Sequence, residues 1–335
     1  MAADRVMNTN VKSSTRVAVL GGSWSSNVGN AFYNLGATWL MEQLCTDVWF
    51  VPESPRWKEP TRDDFDLVGH LDCDLVLMIG PCLNLKLADV YSESFQRIYD
   101  RGAKVGYLSV GMSLYDQGEA GEVKKFFDKF PPAFISTRDD MTHQFIEPLV
   151  SCPTYSGLCT SLYLNDAYSP PPITKSPYVV LNFDSHEPAL SFDDQGIAKV
   201  QETPRGLFGK KAVSLPDKIQ GLDVVRTCNL SIDDGYGAIY GRPMAYHSDL
   251  PGGYCSILKH AQCVYSERVH TCAATLIYGS KAQFIAQSDR SFEKRSLLFK
   301  QIGLEDIFKR PVQIDFDKLN PLKERQTEFL RGALT

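Results

Sequence analysis

Between Arg16 and Leu149, short continuous apolar runs alternate with longer stretches in which apolar residues recur every three or four positions. The runs are RVAVL, VWFV, DLVLMIG, KVGYLSV and AFIS, and the periodic stretches follow Asn30, span about Leu87 to Asp100 and lie near Glu119 to Phe130. A strand that is apolar along its whole length is covered on both faces, and strand-helix alternation means parallel strands joined by crossovers. In the helix after Asn30, residues Phe32, Leu35, Trp39 and Leu40 fall on one side. The pattern predicts a doubly wound sheet.

A second series begins after Ser169-Pro170-Pro171-Pro172, whose prolines favour an extended connection, and Ser176-Pro177 leads into the strand YVVLNF. From His186 to Ser231 the periodicity is weak, and order returns with GAIYGRPMAYHS. A helix from Asp249 to His260, the strand CVYS, a helix from about Thr271 to Tyr278 and the strand AQFIA follow, and Leu319 to Leu330 reads as a polar amphipathic helix. The expected organisation is a disordered tail over 1–15, an N-terminal Rossmann-like domain over 16–168, a Pro-rich linker over 169–177, a C-terminal Rossmann-like domain over 178–318 and a closing helix over 319–335. Two α/β halves enclose a central cleft.

Composition narrows the class. A chain of 335 residues with 43% hydrophobic residues has enough apolar material for two cores, and a net charge of -5 argues against affinity built on phosphate backbones. Nucleic acid is therefore not the expected partner. Nine cysteines without a C-x-x-C pair suggest neither a disulfide framework nor a thiolate zinc cage. No apolar run reaches the roughly 20 residues that span a bilayer, and the opening MAADRVMNTNVKSST has no continuous apolar region, so a cytoplasmic protein is expected. The sequon Asn229-Leu230-Ser231 would matter only in a secretory lumen.

Three segments can carry chemistry. The turn Gly21-Gly22-Ser23-Trp24-Ser25-Ser26-Asn27-Val28-Gly29-Asn30 feeds a helix and can offer backbone N–H groups to an anion, although it matches neither G-x-G-x-x-G nor a P-loop. Taken by itself it reads more readily as a tight strand-to-helix turn. In Ser266-Glu267-Arg268-Val269-His270, continued extension would project Arg268 and His270 to the same side at a strand's carboxyl end, where an arginine fork can clamp an anion and a histidine can pass a proton. A surface ion pair and a helix-capping histidine are the competing account. Arg138, in Ile135-Ser136-Thr137-Arg138-Asp139-Asp140, offers a second anion contact from the opposite half, with helix capping by Asp139 or Asp140 as the alternative.

Other chemistries have less support. Asp72-Cys73-Asp74 has a D-x-D spacing but precedes its strand, the wrong end for a cleft, and His70, His143, His186, His247 and His260 show no ligand spacing, so no metal is expected. There is no Gly-x-Ser-x-Gly elbow, and Cys159 has no assignable partner.

In order along the chain, Asn27-Val28-Gly29-Asn30, Ile79-Gly80-Pro81, Leu108-Ser109-Val110-Gly111, Ser136-Thr137-Arg138-Asp139 and Ser266-Glu267-Arg268-Val269-His270 followed by AATLIYGS resemble the polysaccharide pyruvyl transferase family. The resemblance implies two Rossmann-like domains arranged as in GT-B glycosyltransferases, and transfer of a pyruvyl group from phosphoenolpyruvate to a saccharide as a ketal. It implies no cofactor or metal. Arg268, Arg138 and His270 would bind the donor, with Arg268 and His270 catalytic. Asn27, Asn30, Trp24 and Asp249 are acceptor-side candidates, as are Tyr33 and Asp184. Two positions depart from the family pattern: Asn30 stands where an acid is usual, and Cys159 where an Asp is frequent. Competing expectations are a glycosyltransferase using a nucleotide sugar and a non-catalytic binding protein on the same fold.

Overall fold

The computed structural model describes residues 12–22, 24, 27–52, 66–172, 176–184, 188–201, 205–206, 209–210, 216–230, 242–248, 250–286 and 297–335. The N-terminal half contains β1 (Ser13–Gly21), α1 (Gly29–Leu44), β2 (Cys45–Pro52), α2 (Asp66–His70), β3 (Leu75–Ile79), α3 (Leu87–Asp100), β4 (Lys104–Val110), α4 (Gln117–Lys129), β5 (Phe134–Thr137), α5 (Asp140–Ile146) and β6 (Thr154–Ser156). Its six strands pair in parallel in the order β2-β1-β3-β4-β5-β6. The order reverses at β1, so the carboxyl ends of β1 and β3 flank a topological switch point, the usual place for a ligand crevice.

The continuously apolar strands are covered on both faces as expected. In β1, Ala18 and Leu20 enter one core cluster while Val17 and Val19 enter another. On the first face, α3 lays down Leu87, Tyr91, Phe95 and Ile98, all buried at helical spacing and each worth about 1.5–3 kcal/mol for the larger side chains. Helix α1 differs from the one-sided expectation. Besides Phe32 and Leu40 it buries Ala31, Tyr33, Asn34, Gly36, Ala37, Met41 and Leu44, while Leu35 and Trp39 are only partly buried. The reason is that β1 and β2 cover one side and the 3-10 turn Thr160–Tyr163 covers another, with Gly36 so close that an added Cβ would lie 1.9 Å from the Thr160 carbonyl oxygen.

After α6 (Leu164–Ala167), the second half contains β7 (Tyr178–Asn182), β8 (Leu190–Phe192), β9 (Ala198–Val200), β10 (Arg205–Gly206), β11 (Gly209–Lys210), β12 (Lys218–Ile219), β13 (Leu222–Thr227) and β14 (Ala245–Tyr246). It continues with α7 (Pro251–His260), β15 (Cys263–Ser266), α8 (Val269–Ile277), β16 (Lys281–Phe284), α9 (Leu297–Gln301) and α10 (Phe316–Ala333). Its main sheet runs β12-β13-β7-β15-β16, with β14 on β13, and only β12 is antiparallel to its neighbour. The weakly periodic region therefore contains short strands, including the β8-β9 hairpin.

Several boundaries move. Strand β1 starts at Ser13, inside the segment expected as tail, because Ser13 pairs with Cys45. Helix α7 starts at Pro251 after Leu250; the helix start read at Asp249 lies outside the described residues. Helix α10 begins at Phe316, three residues early, because the Asp315 side chain accepts from the Asp317 N–H and caps it. This last helix spans both cores: Leu319 packs in the C-terminal cluster, and Leu330 joins Val17, Leu40, Phe134 and Tyr163 in the N-terminal one. Among the described residues, no helix is long and apolar enough to cross a membrane.

Candidate functional site

The halves meet at the carboxyl ends of their strands. The Asn27 side chain accepts from the Gly29 N–H at 2.9 Å and closes the turn into α1, while the Val28 N–H donates to the Asn229 carbonyl at 2.8 Å and Asn27 bridges to Leu230. Gly29 permits this approach. A Cβ there would lie 2.9 Å from Asn229 Nδ2 and 3.6 Å from His270 Cβ, so the first turns of α1 and α8 are adjacent.

Beneath the junction lies a buried polar network built from the ends of β7, β13 and β15. Asn182 Nδ2 donates to Thr227 Oγ1 and Asn229 Oδ1, Ser266 Oγ donates to Asn182 Oδ1 at 2.7 Å, and the Arg268 N–H donates to Ser266 Oγ at 2.9 Å. Asn229 Nδ2 and Thr271 Oγ1 are 2.9 Å apart. Every member is fixed by another, which makes the network a rigid floor.

Arg268 and His270 lie on this floor, but not by strand alternation. Strand β15 ends at Ser266; Arg268 is the N-cap of α8 with extended backbone, and His270 is already in its first turn. Arg268 is ion-paired with the buried Asp184 Oδ2, whose Oδ1 accepts from the Asn229 N–H at 2.7 Å, and the Asp184 N–H donates to Glu267 Oε1 at 2.9 Å. Asp184, an acceptor-side candidate in the sequence, is thus the ion-pair partner of Arg268. The partly buried His270 packs its ring edge to face with Tyr33, centroids 4.9 Å apart, which gives Tyr33 a role at the histidine.

Arg138 arrives from the other half, at the end of β5. Its N–H donates to the Val110 carbonyl, and its guanidinium lies against Gly111, where a Cβ would be 2.3 Å from Nε. It is 4% exposed. Nη2 reaches the Tyr115 hydroxyl at a long 3.4 Å, and Nε stands 3.5 Å from Asp139 Oδ2 without a hydrogen-bond partner among the described residues. His270 Nε2 is likewise buried without one. Burial, then the positive fields of Arg138 and Arg268, push the His270 imidazole down to about 3, so it is neutral near pH 7. Arg138, Arg268 and His270 thus share one electrostatic environment despite separations of about 130 residues in sequence. A buried polar nitrogen left without a partner costs about 1–3 kcal/mol, a cost that a bound ligand would remove.

The remaining candidates are placed differently. Trp24 stacks on Phe50 at 5.4 Å, over the end of β2. The Asn30 amide lies against Gly22, and Asn27 is committed to its turn. Asp249 lies outside the described residues. Cys159 is buried within electrostatic reach of Arg138, with Ser161 Oγ donating to its Sγ, and burial pushes its thiol up, which argues against a nucleophile. Asp72 and Asp74 both pair with Arg16 at the amino end of β3, and Asp74 is held down to about 2 by those contacts. Among the described residues, no three His, Cys, Asp or Glu side chains cluster as a metal site would require.

The sequence suggests no site role for Tyr115, Glu267 or Asn229, although Glu267 lies in the Arg-x-His segment and Asn229 in the sequon. Glu267 and Asn229 follow strand ends, where the rule that found Arg268 would also find them; Tyr115 gave no comparable signal.

Two parallel-sheet α/β halves with a site between their strand ends define a GT-B-like fold. S. aureus MnaA in a co-structure with UDP shares it at a TM-score of 0.51 and 10% identity, covering 94% of this chain and 91% of that one. UDP-GlcNAc 2-epimerase from Neisseria meningitidis, bound to UDP-GlcNAc, is similar at 0.50 and 10% identity, covering 94% and 99%. No curated protein matches the sequence. The polysaccharide pyruvyl transferase family model matches residues 29–286, from the first turn of α1 to just beyond β16, and the chain belongs to that family.

Proposed function

We propose that the protein transfers the pyruvyl group of phosphoenolpyruvate to two hydroxyls of a saccharide, forming a ketal. Family membership supports a transferase. The observation that carries the donor is the convergence of two arginines with two buried nitrogens, Arg138 Nε and His270 Nε2, that have no hydrogen-bond partner among the described residues. A small acid with a phosphate at one end and a carboxylate at the other can engage both arginines, one from each half.

Donor arrival also changes the histidine. Its negative charge offsets the fields of Arg138 and Arg268 and raises the His270 pKa, converting a neutral imidazole into a proton donor when there is something to protonate. The donor's methylene carbon takes that proton and the substituted carbon becomes electrophilic. One saccharide hydroxyl bonds to this carbon and gives up its proton, the carbon–oxygen bond to phosphate breaks with phosphate leaving, and a second hydroxyl, also losing a proton, closes the ketal. Asp184 keeps Arg268 oriented, and Tyr33 holds the imidazole edge.

Calorimetric titration tests the donor. Wild type should bind phosphoenolpyruvate, and Arg268→Ala should weaken binding by roughly 10- to 100-fold, the range of one or two charge-assisted hydrogen bonds. Heat from a nucleotide sugar and none from phosphoenolpyruvate would overturn the reading in favour of glycosyl transfer.

A further inference from the structure

Arg138 is followed directly by Asp139, yet the two do not form a tight pair. In a buried site the default for an arginine beside a carboxylate is a close, bidentate pair. Here the approach is 3.5 Å from Nε to Oδ2, without a hydrogen bond, because the carboxylate is otherwise engaged. Asp139 Oδ1 accepts from the Thr142 N–H at 2.7 Å as the cap of α5, and Oδ2 accepts from Thr142 Oγ1 and the Tyr115 hydroxyl, both at 3.1 Å. Tyr115 stands between the charges: its hydroxyl donates to Asp139 and receives Arg138 Nη2.

The backbone that puts Tyr115 there is itself held. Its φ is 56°, a left-handed conformation unusual for a bulky residue. The fully buried Glu119 carboxylate compensates by accepting from three successive backbone N–H groups, of Ser113 at 3.1 Å, Leu114 at 2.8 Å and Tyr115 at 3.0 Å. Three amides converging on one carboxylate fix the loop after β4 as firmly as a bound anion would.

We propose that Tyr115, set by Glu119, is a positioning residue that keeps Asp139 from capturing Arg138, so that the buried guanidinium stays available to the anionic donor. The proposal rests on the donor reading above. Without the phenol hydroxyl, Asp139 Oδ2 is released to pair with Arg138, and the incoming anion must compete with an internal carboxylate.

Phosphoenolpyruvate binding to the full chain, measured by calorimetry alongside unfolding midpoints, tests it with four variants. Tyr115→Phe should weaken binding roughly tenfold, the value of one hydrogen bond to a charged group. Adding Asp139→Asn to it should restore most of the loss, since asparagine still caps a helix but cannot pair with the arginine. Glu119→Gln, which loosens the loop without touching the hydroxyl, should weaken binding in the same direction, and carries the test where Tyr115→Phe lowers the midpoint. Unchanged binding in Tyr115→Phe and Glu119→Gln, or a loss that Asp139→Asn does not restore, would overturn the positioning role. Wild-type affinity in Arg138→Lys would overturn the donor role of Arg138, and the role of Tyr115 with it.

Discussion

His270 shows how much a single residue's surroundings decide. Its first-turn position, the buried Nε2 and two nearby arginines leave the imidazole neutral down to about pH 3, against an ordinary value of 6.5. Between those values the unfolded chain binds a proton that the native chain refuses, so stability falls as pH drops from 6.5 toward 3 and is fully present above 6.5. Chemical denaturation between pH 7 and 4 should show that slope, and His270→Phe should flatten it. The pair Arg268 and His270 was legible because Arg-x-His closes an apolar strand; the way they come together was not, since the change from strand to helix at Arg268 rests on Ser266 Oγ, which is itself held by Asn182 on a different strand. Tyr115 was illegible for a different reason. Its partner Glu119 is only four residues away, but nothing in MSLYD announces a positive φ or a carboxylate turned back onto three successive N–H groups.

At the scale of elements, periodicity placed strands and helices well where one apolar face meets one core, as in α3. It failed for α1, whose second covered side is formed by residues 160–163. The crowding has a measurable cost. Gly36→Ala would drive a Cβ to 1.9 Å from the Thr160 carbonyl oxygen, and because that neighbour is backbone the mutation should cost about 1–3 kcal/mol, read as a lower denaturation midpoint. The region around 186–231 was poorly legible because its strands are two to six residues long, too short to establish an apolar rhythm.

Across the whole molecule, two of the contacts that join the halves bear on the site. One is the meeting of Val28 and Gly29 with Asn229, which also connects through Asp184 to Arg268. The other is α10. Its buried Gln326 accepts from the Leu158 N–H at 2.7 Å and sends its amide to Ser109 Oγ and the Leu158 carbonyl, both at 3.3 Å. Ser109 is another positive-φ residue, at 55°, and Leu158 precedes Cys159 on the Arg138 side of the site. Gln326→Leu leaves the Leu158 N–H buried and unmatched, a loss of about 1–3 kcal/mol that equilibrium unfolding should detect.

The reach of α10 also orders events on the ribosome. Everything needed for the first sheet has been synthesised by Ser156, but the glutamine that fastens Leu158 comes 168 residues later, after the entire second half. At about 5–20 residues per second the nascent first half spends on the order of ten seconds or more with that strap unfastened. A chain arrested before α10 should accordingly expose the Leu158 segment to proteases that the released protein resists.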